Sequence, residues 1–208
     1  MIVLEQYGVR LIRIQEKDIE LIRYWRNQAD IINYMEYRNY ITPTSQLNWF
    51  ESINNNLNYY FIIEYENKKV GLINSKDYSY ELGFGEGGIF IWDKNYIDSF
   101  VAIYSTLCLL NFVFFELKLR TISRARILKS NLKAINYNKM IGYKLMPNQE
   151  HEYNQLYELH IDDYIVNGLK LNKAATLLNK GKETLNYYGE VCPKNHDLLN
   201  QLILQNRI

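Results

Sequence analysis

The chain has 208 residues, the length of one domain or of one domain with an appendage. Its 24 Lys and Arg nearly balance 23 Asp and Glu, and a net charge of +1 argues against a dedicated nucleic-acid binder, whose affinity comes mostly from neutralising phosphates. Aromatic residues make up 14% of the chain, with only 10 Gly and 3 Pro, which excludes collagen-like, linker-rich and disordered classes.

The alternation in Gly8–Ile14 predicts a half-buried strand. Lys17–Asn27 reads as a helix, with Ile19, Leu21, Ile22 and Trp25 near helical spacing, and Ile31–Met35 as a further short turn. Thr42-Pro43 opens another helix, capped by Thr44 or Ser45, with Leu47, Phe50 and Ile53 on its buried face. Tyr59–Tyr65 and Val70–Ser75 are strands joined by a turn at Glu66–Lys69, and Glu86–Trp92 is a third strand of this region. Ser99–Leu117 is the longest helix, apolar nearly all round and so expected in the core. Arg120–Leu128 alternates again. Asn131–Ile141 is a helix stopped by Gly142, and Tyr143–Met146 and Gln155–Ile161 are the last strands. From Tyr164 onward the pattern reads as two or three helices with no strand signal and a charge of six basic against three acidic residues. The order predicts a mixed α/β sheet with helices on both faces, over residues 1–163, followed by a helical C-terminal extension, 164–208.

Of the two cysteines, Cys108 lies in an apolar run and reads as a buried thiol. With Cys192 it makes no disulfide or zinc spacing, and no metal site is expected. The run 102–115 is shorter than the roughly 20 residues of a membrane span and contains Ser105, Thr106 and Asn111. No basic region followed by an apolar stretch opens the chain, so the expectation is a cytoplasmic protein without a membrane partner.

The segment Asn111–Asn131, continued to Gly142-Tyr143, resembles the GNAT superfamily of acetyl-CoA-dependent N-acetyltransferases. The nearest branch holds the ribosomal-protein N-terminal acetyltransferases and the nucleotide-amino-sugar acetyltransferases. There the long helix ends in an aromatic-rich turn, a strand follows, and an Asn opens a helix that closes on a Gly-aromatic pair. Asn131 and Gly142-Tyr143 match, as do Val9–Ile14, Trp25-Arg26-Asn27 and Thr44–Phe50, over roughly residues 8 to 161. The resemblance implies a mostly antiparallel sheet and acetyl-CoA as co-substrate. A strand edge at Gly88–Trp92, including Ile89, Ile91 and Trp92, would pair with the pantetheine arm. A helix N-terminus near Ser99 would face the pyrophosphate, with Lys94 beside it and Asn131 as a further cofactor contact.

The chain departs from the family at the pyrophosphate loop. Lys94–Ala102 carries no glycine, and Asp98 and Phe100 stand at the usual glycine positions. A carboxylate there repels pyrophosphate, whereas Asp98 or Ser99 capping the helix needs no ligand to explain it. The resemblance assigns the catalytic base to Glu86, whose alternative is a solvated carboxylate in a glycine-rich turn. The family's acid is a Tyr at the position of Asn138, with Tyr137 one residue earlier, and both are catalytic candidates: Asn138 as a hydrogen-bond donor to the thiol, and Tyr137, turned by about 100°, with a packed aromatic as its alternative. His160 and Glu158 share a strand face, as an orienting or a structural pair. Tyr78 and Tyr80, near Glu81, are candidates for an acceptor wall. The implied function is N-acetyl transfer to a primary amine of a small molecule or nucleotide-linked amino sugar. The alternatives are a protein N-terminal acetyltransferase or a decayed binding or regulatory module on the same fold. The tail is expected to cover the acceptor cleft or to build a homodimer contact.

Overall fold

A computed structural model describes residues 2–55, 57–79, 81–118 and 121–189. The chain opens with a hairpin, β1 (Ile2–Gln6) and β2 (Val9–Arg13). A short 3-10 turn leads into α1 (Ile19–Arg26), α2 (Ala29–Ile32) and α3 (Pro43–Ile53). Strands β3 (Tyr59–Tyr65), β4 (Lys68–Ser79) and β5 (Phe84–Ile91) follow as a meander. Then come α4 (Val101–Asn111), β6 (Ile122–Leu128), α5 (Leu132–Ile141), β7 (Lys144–Leu145), β8 (Asn154–His160), α6 (Ile161–Leu178) and β9 (Asn186–Gly189).

Among the described residues the nine strands form one sheet in the order β7-β8-β6-β5-β4-β3-β2-β1-β9. Each neighbouring pair is antiparallel except β5 with β6. The mixed α/β sheet read from the sequence is the architecture observed. Alternate residues serve two cores, as the two-residue period of a strand requires. One face carries Tyr60, Ile62, Leu72 and Trp92 against Ile19, Ile22, Ile31 and Phe50 of α1–α3. The other carries Phe61, Ile63, Ala125, Ile127 and Leu159 against Leu107 and Leu110 of α4, Ile135 and Ile141 of α5, and Tyr164 and Ala175 of α6.

Local chemistry sets the ends of the elements. Thr42, rather than the expected Thr44 or Ser45, caps α3: its Oγ1 accepts from the Ser45 amide at 3.1 Å, and Pro43 occupies the first turn, where no amide hydrogen is needed. Asn131 caps α5 by accepting from the Ala134 amide at 3.1 Å, and Gly142 ends it at φ +117°. The long apolar helix is shorter than predicted. It begins at Val101 and passes into a π-helical turn over Phe112–Glu116.

The C-terminal region differs from the expectation of helices without strands. Residues 186–189 form β9, which adds antiparallel to β1 at the sheet edge. The boundary drawn at 163/164 falls inside α6, whose Tyr164 and Ala175 are buried in the main core. A buried polar network ties this helix to the sheet. The Tyr164 hydroxyl donates to Asn111 Oδ1 at 2.7 Å, and Asn111 Nδ2 donates to Gln6 Oε1 at 3.0 Å and Asn172 Oδ1 at 2.9 Å. The Tyr7 hydroxyl donates to the same Asn172 oxygen at 2.7 Å.

Candidate functional site

Strands β5 and β6 pair only over Phe84↔Ile122, Gly85↔Ser123 and Glu86↔Arg124. Beyond that point they diverge, and Gly87–Ile91 keeps its partner on the β4 side alone. The divergence opens a cleft of about 1320 Å³. Its walls are α1–α3 on one side of the sheet and α4 and α5 on the other. A backbone edge of this kind presents free donors and acceptors to an extended ligand. At Gly88 the approach is tight: a Cβ would stand 2.9 Å from Asn74 Oδ1.

The N-terminus of α4 faces the same cleft. The N-cap is Phe100, without a side-chain cap, and the Ser99 hydroxyl one residue earlier accepts from the Val101 amide at 3.2 Å. Helix geometry leaves the next amides, of Ala102 and Ile103, without intrahelical partners, and both residues line the cleft. Such amides and the helix dipole favour an anion. Asp98 does not cap. It is exposed and ion-paired to Lys133 in the first turn of α5, which offsets its charge. Lys94, expected beside the anion, instead pairs with Asp30 of α2 at 2.5 Å. Phe100 is exposed and stacks near Tyr104, with ring centroids 6.0 Å apart.

Of the residues singled out from the sequence, Glu86, Ile89, Ile91, Lys94, Ser99, Asn131, Tyr137 and Asn138 all line the cleft. Trp92 is a correction. It lies in the core on the α1 face, 2% exposed, stacked on Trp25 at 6.1 Å, with its indole donating to the Lys69 carbonyl at 2.7 Å. Strand β5 ends at Ile91, and the indole N–H of Trp92 needs a buried acceptor. His160 Nε2 donates to Glu158 Oε1 at 2.8 Å, and Glu158 also accepts from Arg124 at 2.8 Å; neither His160 nor Glu158 lines the cleft. Tyr78 is buried away from it, and Tyr80 lies outside the described residues, as does Cys192.

Glu86 projects on the α1–α3 face at the point of divergence. One carboxylate oxygen meets Lys76 Nζ at 2.9 Å and the other Arg126 Nε at 3.3 Å. Burial opposes the charge on Lys76, but its bonds to Glu86 and Asp77 outweigh it and hold the ammonium above its ordinary pKa. A carboxylate has about four acceptor sites, so Glu86 retains capacity for one further donor.

Tyr137 is a brace between α5 and α4. Its hydroxyl lies 2.9 Å from the Ala102 carbonyl and 2.6 Å from Thr106 Oγ1, and burial pushes its pKa up. Asn138 donates to the Ala134 carbonyl at 2.8 Å within its own helix. Neither offers a proton to the cleft. A different hydroxyl pair does reach it: Ser123 Oγ and Tyr143 Oη are 2.8 Å apart, buried, and both line the cleft. Ser123 sits beside the free edge, its Oγ 3.7 Å from where a Cβ on Gly87 would stand. Register places it on the opposite face of the sheet from Glu86, since its partner is Gly85 and that of Glu86 is Arg124. Sequence reading missed this pair because the aromatic after Gly142 signalled only a helix stop, and Ser123 only a strand.

No family model matches the chain, and no curated protein matches its sequence. Solved structures match its fold. FdhC, described as a nucleotide-linked sugar GNAT, superposes with a TM-score of 0.68 at 21% identity, covering 81% of this chain and 96% of its own. The spermidine N-acetyltransferase of Vibrio cholerae, solved with CoA and spermine, gives 0.64 at 17% identity over 76% and 98%. AAC(6')-Ib, solved with ribostamycin and coenzyme A, gives 0.65 at 12% identity over 76% and 96%. The chain has the GNAT fold, and its open β5 edge lies against the start of α4 in one continuous cleft.

Proposed function

We propose that the chain is an acetyl-CoA-dependent N-acetyltransferase acting on the primary amine of a small molecule or of a nucleotide-linked amino sugar. The observation that carries this reading is the divergence of β5 from β6 immediately after Glu86, with the α4 N-terminus opening onto the same cleft. The residues fit the co-substrate. The free backbone of Gly87–Ile91 suits a pantetheine arm, and the Ala102 and Ile103 amides suit a pyrophosphate without any glycine in the loop. Asn131 lies on the adjoining wall. When bound, acetyl-CoA supplies the activated acetyl group.

The two faces of the sheet divide the proton chemistry. The amine enters from the α1–α3 face, where Glu86 Oε accepts the proton lost as the carbon–nitrogen bond forms. On the α4–α5 face Ser123 Oγ would give its proton to the departing thiolate and take one from Tyr143 Oη. Solvent in the cleft returns the proton to the phenol. Lys76 and Arg126 hold the Glu86 carboxylate at the mouth of the divergence.

Calorimetric titration with acetyl-CoA and a thiol-release assay over a panel of amines test the reading together. No binding at millimolar acetyl-CoA overturns it. Binding without thiol release for any amine, protein N-termini included, favours a binding module on the same fold. Ser123→Ala is expected to lower kcat roughly 10²-fold while leaving acetyl-CoA affinity unchanged. An unchanged kcat would remove the hydroxyl pair from the mechanism.

A further inference from the structure

On the α1–α3 face of the cleft, three donors lack partners among the described residues. The Arg26 guanidinium has no ion pair or hydrogen bond among the described residues. Its Nε is buried and unsatisfied, and the group lies 5.9 Å from the centre of the Phe90 ring. Gln46 is 3% exposed and its side-chain Nε2 is likewise buried without a partner. Tyr60 is buried beside Trp49, ring centroids 5.2 Å apart, with no hydrogen bond to its hydroxyl from any described residue. All three line the cleft.

The nearby carboxylates do not neutralise Arg26. Asp30 is taken by Lys94 and Glu86 by Lys76 and Arg126, while Glu36 lies on the exposed rim and no ion pair joins it to Arg26. Burial lowers the Arg26 pKa, with the Tyr60 phenol opposing only in part. A partly buried cation and a fully buried amide N–H left unpaired each cost free energy that folding alone does not recover. An anion accepting from them removes that cost, and a guanidinium is the side chain best shaped to bind a phosphate or carboxylate in a fork.

We infer that Arg26, Gln46 and Tyr60 form an anion subsite, so that the amine acceptor carries a phosphate or carboxylate group and polyamines are excluded. This deepens the acetyltransferase reading and rests on it for the word acceptor. Calorimetric titration of the full chain, with and without saturating acetyl-CoA to fill the cofactor's own phosphate positions, tests it. The probes are uridine diphosphate, succinate and spermidine. Uridine diphosphate or succinate should saturate the acetyl-CoA-loaded protein, and which of them does so identifies the anion. Arg26→Met should weaken that binding roughly 10- to 100-fold, and Gln46→Leu less, with acetyl-CoA affinity unchanged in both as a check that the variants fold. Equal anion affinity in wild type and both variants overturns the inference, as does saturation by spermidine with neither anion binding. Acetyl-CoA binding with no anion binding overturns the subsite alone. Anion binding without acetyl-CoA binding overturns the acetyltransferase reading and leaves the subsite standing.

Discussion

Asp98 shows how a single residue changes meaning between one dimension and three. In sequence it is a carboxylate where a phosphate loop has glycine; in space it is ion-paired to Lys133, a residue 35 positions later. The pair is exposed, so it stabilises the fold little. Its consequence lies in binding. Asp98→Ala frees Lys133 beside the α4 N-terminus and should tighten acetyl-CoA binding about two- to fivefold, while Lys133→Ala leaves the carboxylate bare and should loosen it by a similar factor. Titrations at low and at 0.5 M added salt check this, because screening should shrink both effects. If both variants shift affinity in the same direction, charge is not the cause. Glu86 was singled out through the resemblance, and its cationic partners were not legible. Tyr137, a catalytic candidate with packing as the alternative, packs, and its contact with α4 gives the reason: a buried phenol needs an acceptor, and Ala102 supplies one.

At the scale of elements, the strand periods, the Thr42-Pro43 helix start and the Asn131 to Gly142 helix were readable, because each rests on local sterics and capping. The hairpin turn expected over Glu66–Lys69 is tighter, with only Glu66 and Asn67 between β3 and β4, and their φ values of +49° and +61° are those of a turn whose twist matches the flanking strands. Strand β1 was not read. Ile2, Val3 and Leu4 are all buried, so the strand covers both faces and shows no alternation. The open strand edge after Gly88 was expected only through the resemblance, since no local rule says where a parallel pair stops pairing. The glycine at 88 matters to that edge. Gly88→Val would place side-chain atoms over the open backbone and against Asn74, and acetyl-CoA affinity should fall on the order of tenfold, one 1.4 kcal/mol step. A thermal unfolding midpoint close to wild type alongside unchanged affinity would show that this edge does not hold the co-substrate.

For the whole molecule, α6 and β9 belong to the same core and sheet as the rest. Tyr164→Phe removes the donor to Asn111 Oδ1 in a buried network and should cost about 1–3 kcal/mol in urea unfolding. Loss near zero would mean that the network re-forms around Asn172. Burial also raises the pKa values of Cys108, Tyr60, Tyr137 and Tyr164. In the unfolded chain these groups lose protons near their ordinary values of 9.0 for the thiol and 10.0 for the phenols, before the folded protein does. The unfolded state therefore binds fewer protons there, and stability should fall as pH rises above about 9. Unfolding free energies measured from pH 7 to 11 would show that decline, and a flat profile would contradict it. Among the described residues no helix is long and apolar enough to cross a membrane.

Local sequence was sufficient for the mixed α/β sheet and for most elements between residues 9 and 161 to within about two residues, because hydrophobic period, caps and turns act over a few residues, while the neighbourhood of the cleft came from the resemblance. It was not sufficient for the ion pairs of Glu86 and Asp98, the Ser123–Tyr143 hydroxyl pair, the inward turn of Trp92 or the unpaired Arg26 and Gln46. Those depend on which faces and edges meet across tens of residues. Whether a buried polar atom finds a partner is decided only when the sheet, its two helical layers and the divergence of β5 from β6 are assembled.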